Sequence, residues 1–380
     1  MMVRQADSPG RRLQNALRVI AVLALLFGFL VGIKALESGI KAFGSGFVDT
    51  IFDNVTNPVA GLFAGMLATV LVQSSSVTTS TIVGLVGAGV LGVPTAVPMI
   101  MGTNLGTTVT NTLVSLGHIR QGQEFRRAFA GATIHDFFNI LTVIVALPLE
   151  LATGFLSKSA RALTDLLEGG RNLGGVTATS PLKVAVGWPI DRLQDLVAGS
   201  SGTVTGVVLL VAGIALIFTA LTFITKTMRT LMAGGIERSL NRMLDRGAGM
   251  GALALGLVVT MLVQSSSITT SILIPMLAAG ILTLENAYPV TLGANVGTTV
   301  TALLASLAVT NPDALTIALV HTLFNVFGIL MFYPLPIMRE VPLRLARATA
   351  GLVQRRASWA LGYVLGLFVV VPVVGLVLLS

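Results

Sequence analysis

Residues 71–80 read LVQSSSVTTS and residues 262–271 read LVQSSSITTS, identical at nine of ten positions and 191 residues apart. At the same separation GTNLGTTVTN (102–111) matches GANVGTTVTA (293–302) at seven of ten, and HDFFN (135–139) answers HTLFN (321–325) at 186. Three matches in one order mark a duplicated unit of about 190 residues. Each QSSS run sits inside an apolar stretch, 57–93 or 247–283, and interrupts it. The fold therefore turns on what solvent surrounds those stretches.

Composition answers that. The 380 residues are 54% hydrophobic and only 11% charged, with a mean hydropathy of +0.88. So little polar surface cannot cover a water-facing exterior, which argues against a soluble enzyme, a nucleic-acid binder or a disordered chain. Forty-one glycines suit closely packed membrane helices. With no cysteine there is no disulfide and no thiolate chemistry. Continuous spans are expected at about 16–34, 95–117, 128–157, 203–225, 286–308, 312–338 and 358–379. The first reads as a retained anchor helix, since no small-residue cleavage site follows it.

Basic residues orient the spans. With the N-terminus inside and each broken stretch re-entering on its own side, segments 1–18, 118–127, 226–246 and 339–356 are inside. They hold 17 of the 24 Lys and Arg residues. Equivalent loops of the two units carry opposite bias: 35–56 has one basic residue and 226–246 has five, while 118–127 has three and 309–312 has none. The units are expected to lie upside down to one another, as in many secondary transporters. The expected fold is an all-α polytopic membrane protein with two inverted-topology repeats, each containing a broken re-entrant helical hairpin. Its parts are a first repeat (1–157), a connecting loop (158–202, with Glu168–Pro181 the clearest loop run), a second repeat (203–338), and a basic amphipathic segment with a final span (339–380). The location expected is the inner (plasma) membrane, with the N-terminus cytoplasmic.

Gln73, Ser74, Ser75 and Ser76, with Gln264, Ser265, Ser266 and Ser267, offer amides and hydroxyls at membrane depth. Such groups donate to an anion and also coordinate a hard cation. A helix break would aim backbone amides at an anion and carbonyls at Na⁺. Asn104 and Asn295 lie in Gly-x-Asn-x-Gly-Thr-Thr and bring Thr103 and Thr298 as further neutral oxygens for Na⁺. The bland alternative for all of these is Ser/Thr back-bonding and Gly/Thr helix packing. No carboxylate occurs at 54–123, 246–284 or 286–312. That favours Na⁺ over H⁺ as coupling ion and suits an anionic substrate. Asp136 is the one acid well inside a span; it either binds Na⁺ or locks structure by pairing with His135 or Arg127. His135 and His321 read as helix-holding hydrogen bonders.

The paired QSSS motifs, MGTNLGTTVTNTLVSL (101–116), RRAFAGATIHDFFN (126–139) and ENAYPVTLGANVGTTVTALLASLA (285–308) resemble the type II sodium–phosphate cotransporter family. The resemblance spans roughly 57–160 and 203–338. It implies two inverted repeats, each with a QSSS motif, and Na⁺-driven uptake of inorganic phosphate. By that resemblance the eight QSSS residues form the phosphate site. Gln73, Ser76, Thr103, Asn104, Gln264, Ser267, Asn295 and Thr298 are the candidates for Na⁺. Vertebrate members have a long cysteine-bearing outer loop; the short cysteine-free connector here suggests a bacterial core-type member. The extra carboxylate associated with electrogenic relatives is missing between Gln73 and Asn104, which points to two Na⁺ per phosphate.

The expected partners are inorganic phosphate, Na⁺ and the lipid bilayer, with no nucleic acid, no organic cofactor and a homodimer left open. The alternatives are a Na⁺-coupled carrier of another oxyanion, a phosphate exporter, and a membrane-embedded phosphatase-like enzyme. The last is disfavoured because neither QSSS motif has a His or acid beside it to activate a serine.

Overall fold

The computed structural model describes residues 9–43, 57–172, 181–197, 200–232, 249–356 and 358–379, and every regular element among them is helical. Helix α1 is Pro9–Ala42. The first QSSS run separates α2 (Pro58–Val72) from α3 (Ser75–Gly87). Next come α4 (Val93–Thr107), α5 (Val109–Ser115), a 3₁₀ turn at Leu116–His118 and α6 (Gln123–Thr153). Between the units lie α7 (Phe155–Asn172) and α8 (Pro181–Leu196). The second unit has α9 (Gly202–Met232), α10 (Met250–Val263), α11 (Ser266–Ala278), α12 (Leu284–Ser306) and α13 (Pro312–Phe332). The chain finishes with α14 (Pro336–Arg355), α15 (Ser358–Leu365), a π segment at Gly366–Val370 and α16 (Val371–Leu379).

Among the described residues, five stretches are long and apolar enough to cross a membrane: Leu13–Ala42, Gln123–Thr153, Gly202–Met228, Pro312–Phe332 and Ser358–Leu379. Four shorter apolar helices, α2, α3, α10 and α11, flank the two QSSS runs. The molecule is a multi-pass membrane protein.

Glycine sets how the short helices pack. A Cβ added at Gly102 would clash with the Leu62 carbonyl oxygen, and at Gly106 it would stand 2.5 Å from the Met66 oxygen. Gly293 meets Leu253 and Gly297 meets Leu257 in the equivalent way. Backbones touch because nothing projects between them. The contacts advance together along α2 and α4, and along α10 and α12, so each pair runs parallel. Helices α1 and α9 run antiparallel: Gly32 lies against Gly213, and Gly39 against Gly206 and Leu210.

One set of contacts between distant segments lies at each end of α6, whose 31 residues span about 46 Å. At its start, Arg127 Nε donates to the Ala278 carbonyl at the end of α11 (2.8 Å), and Arg347 of α14 pairs with Glu285 at the start of α12. Beyond its far end, Arg161 pairs with Asp313 (2.8 Å) and Thr164 meets Thr316 (2.9 Å). There Asn311, the N-cap of α13, donates to the Val86 carbonyl at the end of α3 (3.2 Å).

Two expectations need correction. The segment 158–202, read as a loop from its glycines, is helical over Phe155–Asn172 and Pro181–Leu196; of the loop run Glu168–Pro181, residues 173–180 lie outside the described residues. Gly154 (φ 65°) ends α6, and the Glu150 carboxylate then accepts the amide protons of Leu156 (2.6 Å) and Ser157 (3.3 Å), starting α7. Leu156, Ala160 and Thr164 form the buried face of α7 at four-residue spacing. The first span also runs past residue 34, because Glu37, buried, is neutralised by Lys34 (2.8 Å) and Lys41 (2.6 Å) on its own helix.

Candidate functional site

Each QSSS motif is a helix end followed at once by a helix start. Gln73 (φ 55°, ψ 26°) and Gln264 (φ 57°, ψ 28°) terminate α2 and α10 in the left-handed conformation. They are the only non-glycine residues with positive φ among those described. For an L-residue this geometry costs roughly 1–2 kcal/mol, yet glycine is absent from both places. The next residue, Ser74 or Ser265, is extended, and its hydroxyl accepts the amide proton of Val77 (3.3 Å) or Ile268 (3.4 Å). Serine at an N-cap forms this bond more readily than it continues a helix.

The carboxamides are held alike. Gln73 Nε2 donates to the Val70 carbonyl and Gln264 Nε2 to Met261, each at 2.5 Å. Their Oε1 atoms accept hydroxyl protons from Thr110 (3.3 Å) and Thr301 (2.7 Å). The first break is tied to the second directly: Ser76 Oγ donates to the Gln264 carbonyl at 3.2 Å.

Both breaks face one cavity of about 280 Å³, lined by residues 72–77 and 264–267 and by Phe218, Leu221, Thr222 and Thr225 of α9. The eight QSSS residues expected at the phosphate site are thus brought together. The starts of α3 and α11 and the ends of α2 and α10 all open on this space. The hydroxyls of Ser75 and Ser266 have no hydrogen-bond partner among the described residues. Among the described residues, no His, Asp or Glu lines the cavity.

Thr103, Asn104, Asn295 and Thr298 do not line it. Thr103 and Thr298 donate to carbonyls of their own helices, Ile100 (2.8 Å) and Ala294 (3.1 Å). Asn104 and Asn295 join a buried cluster across the two units. His135 Nε2 donates to Asn295 Oδ1 (2.5 Å), and His321 Nε2 lies 3.4 Å from Asn104 Oδ1. Asn295 donates to Asn139 Oδ1 (2.8 Å), Asn139 to the Asn104 carbonyl (2.9 Å), and Asn325 to Asn104 Oδ1 (3.3 Å).

Asp136 pairs with neither His135 nor Arg127. Its Oδ2 accepts from the Tyr363 hydroxyl of α15 (2.8 Å) and, at 3.5 Å, from Thr112; Oδ1 is buried without a partner among the described residues. The units also differ at one carboxamide. Asn111 accepts from Ser271 (3.1 Å) and exchanges bonds with Thr270 (2.7 and 3.0 Å). Its counterpart is Ala302, and Ser80, the counterpart of Ser271, is buried with a hydroxyl that has no partner among the described residues.

Sequence reasoning missed Thr110, Thr301, Asn139, Asn325, Tyr363 and the α9 wall. The first four lie inside the matched motifs, so internal repetition could have found them. Tyr363 and Thr222 carry no such signal.

The profile of the Na⁺/Pi-cotransporter family matches residues 29–168 and 216–341. Sodium-dependent phosphate transport protein 2A of Ovis aries is 34% identical, over 94% of this chain and 67% of that protein. The 2A protein of Mus musculus is 36% identical with the same coverage. Sodium-dependent phosphate transport protein 2B of Homo sapiens is 32% identical, over 97% of this chain and 66% of its own. No solved structure gives a significant match. A profile covering both halves and relatives aligned along nearly the whole chain place it, with its twin QSSS breaks, in the Na⁺/Pi-cotransporter family.

Proposed function

We propose that the chain uses the Na⁺ gradient to take up inorganic phosphate as HPO₄²⁻, by alternating access between two inverted halves. The observation that carries this reading is the meeting of both QSSS breaks in one cavity without a carboxylate. The starts of α3 and α11 supply amides and positive dipole ends for a dianion, and Ser75 and Ser266 supply uncommitted hydroxyls. The ends of α2 and α10, with Gln73, Ser76, Gln264 and Ser267, supply neutral oxygens for Na⁺. Thr103, Asn104, Asn295 and Thr298 act at one remove, through the helices and the cross-unit cluster they hold. Two Na⁺ per dianion leave the loaded cavity neutral. A further Na⁺ at the unpartnered Asp136 oxygen would be balanced by that carboxylate and would make the cycle electrogenic.

The hairpin reading is supported by direction. Helices α2 and α4 run parallel, and only a short turn links α3 to α4, so α3 returns towards the side from which α2 came. Inversion is supported by the equivalent ends of α3 and α11: one meets Asn311 and the other Arg127, at opposite ends of α6. The segments 118–127 and 339–356, both assigned inside by charge, meet at the start of α6, while Arg161 and Asn311, both assigned outside, lie beyond its end, in keeping with that assignment.

The test is radiolabelled phosphate uptake into proteoliposomes under an inward Na⁺ gradient, with K⁺ as control. Equal uptake in the two rules out Na⁺ coupling. Ser75→Ala and Ser266→Ala should each lower uptake per folded protein; wild-type uptake in both removes the site. Competition by sulfate tests the other-oxyanion reading, and an imposed membrane potential reads the stoichiometry.

A further inference from the structure

A second cavity, about 360 Å³, lies where the start of α6, the end of α11, the start of α12 and α14 converge. It shares no lining residue with the QSSS cavity. Its wall carries three arginines, Arg126, Arg127 and Arg347, against one acid, Glu285. Arg347 is neutralised by Glu285 and by Glu340 (2.7 Å). Arg127 uses only Nε, on the Ala278 carbonyl, while its guanidinium lies over Gly280, where φ is +75° and no side chain intervenes. The Arg126 guanidinium has no hydrogen bond or ion pair among the described residues. Among the described residues, one whole guanidinium and the outer edge of a second are therefore uncommitted in the same space.

The start of α12 adds to that field. Thr283 caps it, and the first-turn amides of a 23-residue helix present a positive dipole end there. Guanidinium forks match phosphate oxygens in pairs. The remaining wall, including Ala130, Leu277, Leu282 and Leu284, is apolar.

We propose that this cavity is a second anion site, built for a phosphate group at the membrane surface. The group arrives on an anionic lipid or as free phosphate, and the guanidinium chemistry is the same for both. An occupant bridges α6 of the first unit to α12 of the second and to α14, holding the halves at one end of α6.

The experiment is native mass spectrometry of the full chain in detergent, titrated with phosphatidylglycerol, phosphatidylcholine or inorganic phosphate. Wild type should retain phosphatidylglycerol over phosphatidylcholine, and Arg126→Gln should weaken that retention about fivefold. Arg126→Gln breaks no side-chain bond among the described residues, and its melting temperature, expected to match wild type, separates lost retention from lost folding; Arg126→Gln with Arg127→Gln should weaken retention further. Arg344→Gln, on the exposed side of α14 and outside the cavity, should match wild type. Displacement of the lipid by millimolar inorganic phosphate identifies free phosphate as an occupant, and its persistence identifies the lipid. Equal retention of both lipids and of phosphate by wild type and Arg126→Gln overturns the proposal. That failure would leave the transport reading intact, because no QSSS residue takes part.

Discussion

The Thr301 hydroxyl donates to Oε1 of Gln264 at 2.7 Å, while its counterpart Thr110 reaches Oε1 of Gln73 at 3.3 Å. One bond is short and buried; the other is long and exposed. A net neutral hydrogen bond is worth about 1 kcal/mol, or about fivefold in an affinity. Thr301→Ala should therefore raise the KM for phosphate about fivefold in proteoliposomes, and Thr110→Ala should raise it less. Thr301→Ser should restore the wild-type value. Equal effects from the two alanine variants would contradict the unequal geometry.

The left-handed Gln264 separates backbone from side-chain demands. Gln264→Gly relieves the positive-φ cost and Gln264→Ala retains it, so the glycine variant should be the more stable by about 1 kcal/mol. Both variants should lose transport, because both lose the carboxamide. Thermal melting of the purified variants, read beside uptake, checks this.

Gly102→Ala and Gly293→Ala drive a methyl group into a carbonyl oxygen of the neighbouring helix. Each should cost about 3 kcal/mol or more, since backbone cannot rotate aside as a side chain does. The yield of monodisperse protein on size-exclusion chromatography should fall sharply for both. Gly117→Ala, with nothing within 4 Å of the added atom, should leave it unchanged.

Asp136 and Tyr363 join the final helix to the first unit. Tyr363→Phe should destabilise by about 1–3 kcal/mol, as expected for loss of a donor to a buried carboxylate. Asp136→Asn and Tyr363→Phe should be non-additive. A double-mutant cycle on melting free energies giving zero coupling would mean that the 2.8 Å contact holds nothing.

The twin breaks, the duplication and the family were legible because QSSS is polar against an apolar background and occurs twice. The same logic would have reached Asn139 and Asn325, which close the HDFFN and HTLFN matches. The helices at 155–172 and 181–196 were hidden because glycine content reads as loop, whereas the Glu150 cap and the α13 surface that stabilise α7 are tertiary. Glu37 stayed hidden for a related reason. Three charges close together look like solvent exposure until lysines one turn away on either side are seen to cancel the acid. The partner of Asp136 could not be read because Tyr363 lies 227 residues away, outside either repeat.

The Asn111–Ala302 difference makes the two halves unlike at a matched position. Two interchangeable halves would present a travelling ion with the same landscape forwards and backwards. Here Ser271 is anchored by Asn111 while Ser80 has no anchor among the described residues, so one half is tied down where the other has a spare hydroxyl. Ala302→Asn would fill the missing position. Comparing influx with efflux in that variant asks whether a single carboxamide biases the cycle towards one side of the membrane.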